Sequence, residues 1–93
     1  KYLAYLQQHY AGIPQADRLW FALAAYNMGP GAVDGIRRRV KQSGQDPNRW
    51  ANVFRYLSET SARRGQYRQV IHYVTNIRAY LETIKQDQRI SRL

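Results

Sequence analysis

One stretch constrains this chain more than any other: an apolar run closed by Asn27-Met28-Gly29-Pro30-Gly31. From Ala16 to Met28, the residues Leu19, Ala22, Leu23 and Tyr26 form one stripe at three-four spacing, with Trp20, Ala24 and Asn27 beside it. A helix apolar on several sides has to be buried. Gly29 stands where a glycine ends a helix, and Pro30 suits the first position of the next. The rest of the chain must therefore pack around this segment. Four neighbouring helices are expected to cover it incompletely, which implies further chain against it.

Those neighbours are legible as helices too. Tyr2 to Tyr10 carries Tyr2, Leu3, Leu6 and Tyr10 on one face, and Gly12-Ile13-Pro14 breaks the chain. After Pro30, Ala32, Val33, Ile36 and Val40 form an inward face, and Arg37, Arg38, Arg39 and Lys41 mark the wetter side. Ser43-Gly44-Gln45 reads as a loop. Asp46 followed by Pro47 reads as an N-cap and first helical position, opening a helix with Trp50, Val53, Phe54 and Leu57. Ser58 to Gln66 is polar, contains Gly65 and reads as a loop. The last helix is long, with Tyr67, Val70, Val74, Ile77, Leu81 and Ile84 in register, and Gln86 to Leu93 is expected to fray. No segment alternates as a strand does. The fold class is all-α, about five helices with the last one long, and there is no internal repeat or interdomain linker.

Composition narrows the chemistry. Ninety-three residues make one small domain or part of one, and two Trp and eight Tyr in a chain that is 44% hydrophobic favour a core over disorder. No apolar run approaches the roughly 18 residues of a membrane-spanning helix. Cysteine is absent, so disulfides, thiol nucleophiles and thiolate metal sites are excluded. His9 and His72 are not at ligand spacing, and read as surface or boundary side chains; no metal is expected. Gly29-Pro30-Gly31 is followed by no Lys-Ser or Lys-Thr pair, so it is not a phosphate loop, and no cofactor is expected. The formal charge of +9, from 15 basic against six acidic residues, favours an anionic partner: nucleic acid, anionic lipid or the acidic peptides of a cell wall. Lys1-Tyr2-Leu3 is not a natural start and opens no secretory pattern, so the chain reads as excised from a longer one, with any address upstream.

The carboxylates offer no acid–base pair. Asp46 is expected to cap, Asp17 to sit in a first helical turn, Asp34 to meet Arg37 and Arg38, and Glu82 to meet Arg78, Lys85 and Gln86. Asp87 falls in the expected frayed end, and Glu59 is the loop carboxylate without a local role. More informative is Ala24-Ala25-Tyr26-Asn27-Met28-Gly29-Pro30-Gly31-Ala32-Val33. An Asn amide at the end of an apolar helix, where a glycine turn opens a cleft, can both donate to and accept from a sugar acetamido group. A Tyr face beside it can lie against a sugar ring. The alternative is that Asn27 caps the turn and Tyr26 packs in the core.

That segment resembles the third motif of the soluble-lytic-transglycosylase catalytic domain, which is related to goose-type lysozyme. Lys1-Tyr2-Leu3-x-Tyr5-Leu6 resembles the helix before that motif, and His72-Tyr73-Val74-x-Asn76-Ile77 resembles the last motif. Asp46-Pro47-Asn48-Arg49-Trp50-Ala51-x-Val53 and the long loop expected after Leu57 are most similar to the membrane-bound lytic transglycosylase F subgroup. The family's first motif, a Glu-Ser pair holding the sole acid and base, and its second, Gly-x-Met-Gln, have no counterpart here. Ser58-Glu59 is reversed and misplaced, so Glu59 does not inherit the role. The chain would then be a partial domain over residues 1–93, the C-terminal half of a lysozyme-like helical domain.

The resemblance implies a function. The whole enzyme would cut the β-1,4 bond between N-acetylmuramic acid and N-acetylglucosamine in peptidoglycan, leaving a 1,6-anhydro sugar. One Glu would protonate the leaving oxygen and then take the proton of the C6 hydroxyl that attacks the anomeric carbon, so no second carboxylate is needed. Tyr73 would support that Glu, Asn27 would bond the glycan, Tyr26 would wall the cleft, Met28 and Gly29 would shape its floor, and Asn76 would bond backbone between helices. The isolated chain would be inactive. Its partners would be glycan strands in the periplasm or cell envelope, with no specific nucleic acid and membrane contact only through an anchor outside the chain. An uncovered apolar helix could also drive self-association. Two other readings stay open: a basic helical module whose Arg37-Arg38-Arg39-x-Lys41 and Arg63-Arg64-x-x-x-Arg68 touch nucleic-acid phosphates, and a non-catalytic interaction domain that kept the fold and lost the acid.

Overall fold

The structure, a computed structural model, describes the backbone of residues 2–91 and the side chains of residues 2–87. Lys1, which opens the segment likened to the helix before the third motif, and residues 92–93 of the expected frayed end lie outside the described residues. Five helices run in order: α1 (Tyr2–His9), α2 (Gln15–Met28), α3 (Pro30–Gln42), α4 (Trp50–Arg64) and α5 (Arg68–Ser91). The described residues contain no strand, as an all-α chain requires.

The apolar segment becomes the hub, with α1, α3, α4 and α5 all packed against α2. Phe21, Ala22, Leu23, Ala24 and Ala25 are all buried by these four neighbours, while Leu19, Trp20 and Met28 are half-buried. Small side chains make this possible: Ala22, Ala24 and Ala25 let adjacent helices approach closely around Phe21. Around them lie Leu6 and Tyr10, then Val33, Ile36 and Val40, then Trp50, Val53 and Leu57, then Val70 and Val74. Arg18 ties the α1–α2 link down, donating to the carbonyls of Ala11 at 3.0 Å and Ile13 at 3.1 Å.

Four expectations need correction. The stretch from Ser58 is helix, because nothing in Ser58 to Arg64 breaks one. Thr60 turns inward and is buried, and α4 stops only where Gly65 takes a left-handed φ of 71°. Glu59 is consequently an exposed helical residue. Second, α4 begins at Trp50 and not after Asp46-Pro47. The Asp46 carboxylate accepts the Asn48 N–H at 2.9 Å, making a local turn, while its carbonyl accepts the Asn52 amide at 3.1 Å. Third, helical backbone continues past Lys85 to Ser91, and Tyr67, with φ 67°, stands before α5 and not in it. Fourth, two residues of the apolar stripes face outward: Tyr2 is 49% exposed and Tyr26 54%.

Candidate functional site

The turn between α2 and α3 is built on one residue. Gly29 closes α2, donating its N–H to the Ala25 carbonyl at 2.8 Å, and opens α3, accepting the Val33 N–H at 3.2 Å. Serving both ends puts it at φ 91°, ψ 144°, a conformation essentially reserved for glycine. No atom lies within 4 Å of where a Cβ would stand, so backbone geometry, not crowding, demands glycine here.

Asn27 and Met28 lead into this turn and are half-buried, Met28 against the core. Neither α2 nor α3 takes a side-chain cap, and among the described residues the Asn27 amide has no hydrogen-bond partner. The capping alternative therefore does not describe Asn27. Tyr26 does not pack in the core; its ring sits 5.9 Å from that of Tyr2, centroid to centroid, and Tyr2 stacks on Tyr5 at 6.1 Å. An exposed aromatic row thus leads from the turn along α1, as far as His9, 6.5 Å from Tyr5. Tyr2 and Tyr5 are three residues apart on a helix, a spacing that marks a shared face, but apolarity alone had assigned Tyr2 to the interior.

Tyr73 is half-buried on α5, next to buried Val74, and α5 packs on α2. The helices meet where the Arg78 guanidinium lies 4.8 Å over the Trp20 ring. Trp20 is seven residues before Asn27, about 10 Å along the helix axis. Tyr26, Asn27, Met28 and Gly29 come together by sequence, and Tyr73 stands on a different helix, α5. Three hollows of about 370, 470 and 560 Å³ are lined by other residues. Asn76 is exposed and bonds no backbone among the described residues, contrary to its expected role: its helical position turns it to solvent.

The titratable groups fit no acid–base pair here. Asp34 is held by Arg37 at 3.4 Å and lies 3.7 Å from His9, while Arg38 is not among its partners. Glu82 meets Lys85 at 3.8 Å and not Arg78, which stacks on Trp20 instead. Among the described residues no group of His, Asp and Glu is placed to hold a metal. Nor is the basic cluster one continuous stripe. Arg37 turns inward to Asp34 and Asn48, and Arg39 donates to the Tyr56 hydroxyl at 3.1 Å, which lowers that phenol's pKa.

A helical bundle wound around an apolar hub, with an Ala-Tyr-Asn segment ending that hub at a glycine turn, is a lysozyme-like arrangement. The family model described as Transglycosylase SLT domain matches residues 1–49, and the chain belongs to this family. Asn27 and its turn lie inside the matched residues, Tyr73 outside them. The chain is similar to proteins named membrane-bound lytic murein transglycosylase F. It is 38% identical to that of Pseudomonas fluorescens strain Pf-5 over 90% of the chain, and 38% identical to that of Stutzerimonas stutzeri over 86%. It is 40% identical to that of Marinobacter nauticus over 77%. It spans 19%, 19% and 16% of their respective lengths. No helix among the described residues is long and apolar enough to cross a membrane.

Proposed function

We propose that this chain is the glycan-gripping part of a peptidoglycan lytic transglycosylase. The reading rests on Asn27: a half-buried amide without a partner among the described residues, at the glycine turn after α2, inside the residues matched by the family model. Its carbonyl can accept from, and its NH₂ donate to, an N-acetyl group of the glycan. Tyr26 offers an exposed ring beside it for a sugar face, and Met28 and Gly29 form the floor. Tyr73 is a positioning residue, its hydroxyl holding the single acid of the reaction. That Glu lies outside this stretch, which contains no Glu-Ser pair. In the complete site it protonates the leaving oxygen and then accepts the C6 hydroxyl proton as that oxygen closes the 1,6-anhydro ring. Because the nucleophile belongs to the same sugar, proximity contributes much of the acceleration. The setting is the cell envelope on the periplasmic side, with any membrane attachment made by residues elsewhere in the protein.

Sedimentation with purified peptidoglycan tests this. The chain should co-sediment, release no 1,6-anhydro product, and lose binding by about fivefold on Asn27→Ala, the cost of one hydrogen bond to the glycan. Full binding by the variant overturns the role of Asn27, and product release by the chain alone overturns the placement of the acid elsewhere.

A further inference from the structure

The 370 Å³ cavity lies between α2, α4 and α5, with its nearest α2 residue, Trp20, about 14 Å along the helix from Gly29, and takes no part in the glycan reading. Trp50 and Val74 are buried at its base, and Trp20 and Phe54 are half-buried in its wall. Asp17 and Arg78 also line it. These two carry opposite charges yet form no ion pair with each other, and among the described residues neither side chain has a hydrogen-bond partner. Arg78 spends the flat face of its guanidinium on Trp20, which leaves its N–H edge available. The volume is that of a small-molecule site.

We infer that this cavity binds the zwitterionic end of an amino acid carried on an aliphatic stem. The ammonium would donate to the Asp17 carboxylate, the carboxylate would accept from the edge of Arg78, and the stem would lie on Trp50 and Phe54. Charge complementarity selects this occupant. A simple anion meets the Asp17 charge, a simple cation meets the Arg78 charge, and a neutral sugar leaves both without a counter-charge. Only a ligand bearing both signs satisfies both groups together, and the indole and phenyl surfaces reward an apolar stem.

The chain has two tryptophans, and both line the cavity, so their indole N–H signals in a ¹⁵N spectrum report occupancy directly. The probe is 2,6-diaminopimelate. Pimelate is the same acid without its ammonium groups, and 1,5-diaminopentane is its stem without the carboxylates. Diaminopimelate should shift both indole signals saturably, and each control should bind about tenfold more weakly. Asp17→Asn and Arg78→Gln should each weaken diaminopimelate by a similar factor. No indole shift, equal binding of either control, or full binding by both variants overturns the proposal. N-acetylglucosamine moving the indoles at lower concentration than diaminopimelate overturns it in favour of a sugar pocket. The glycan reading is read at Asn27 and Gly29, so either can fail alone.

Discussion

The Arg37 guanidinium donates to Asn48 Oδ1 at 2.6 Å, and that bond joins α3 to the turn that launches α4. The same fork reaches Asp34 Oδ1 and the Pro47 carbonyl, each at 3.4 Å, and lies over the rings of Tyr10 and Phe21 at 5.7 and 5.6 Å. One arginine thus fixes the turn, α3 and the edge of the core. Arg37→Met keeps the stem and removes the fork, and should cost about 2 kcal/mol in urea unfolding. Arg37→Lys should fall between the two, because an ammonium cannot serve three acceptors in that plane. A fully stable Arg37→Met chain would show the network to be decorative.

The α2–α3 turn gives a second contrast. Gly29→Ala forces a side chain onto φ 91°, ψ 144°, and should destabilise by about 1–3 kcal/mol although nothing crowds the site. Gly31→Ala adds a methyl in a helical turn with open space around it, and should change stability by less than about 1 kcal/mol, in the stabilising direction. Thermal unfolding of the pair checks this; equal losses would contradict the assigned role of Gly29.

Tyr10 is 2% exposed, and among the described residues its hydroxyl has no hydrogen-bond partner. Burial, with Asp34 adding to it, pushes this phenol up to about 12. The folded chain therefore keeps a proton that the unfolded chain releases above about pH 10, so stability drains away as pH climbs from there toward about 12. Tyr10→Phe should gain about 1 kcal/mol at neutral pH by removing the stranded hydroxyl. Its advantage should widen between about pH 10 and 11. An advantage that stays flat across that range would remove the titration argument.

Much of this architecture could be read before any coordinates. Pro14 and Gly29 bracket α2 because one lacks an N–H and the other alone tolerates the turn, and these effects are local. Structure and expectation part where a polar stretch stays helical. Ser58 to Arg64 is polar but contains no breaker, and Thr60 faces inward only because α4 packs that way. Asp46 serves a local turn and not a helix end, because a carboxylate before Pro suits either. Tyr26 and Tyr2 look like core residues in any apolar count; their exposure follows from their place at the rim of the bundle. The placement of Tyr73 relative to Asn27 was not legible at all. It depends on how α5 lies against α2, which contacts such as Arg78 on Trp20 set in three dimensions.

In a complete transglycosylase carrying these residues, Tyr73→Phe should lower turnover more than glycan affinity, since its hydroxyl is proposed to hold the acid and not the sugar. Separate kcat and KM values on purified peptidoglycan check this. Wild-type turnover would remove Tyr73 from the site.

The turn after α2 is proposed to grip an amino sugar. The most direct measurement of this is a ¹⁵N titration of the chain with a muropeptide disaccharide, following the Asn27 side-chain NH₂ and the Gly29 amide. Saturable movement of both signals, lost from Gly29 in Asn27→Ala, is the expected result. Signals that stay fixed while the glycan perturbs residues elsewhere would contradict the account.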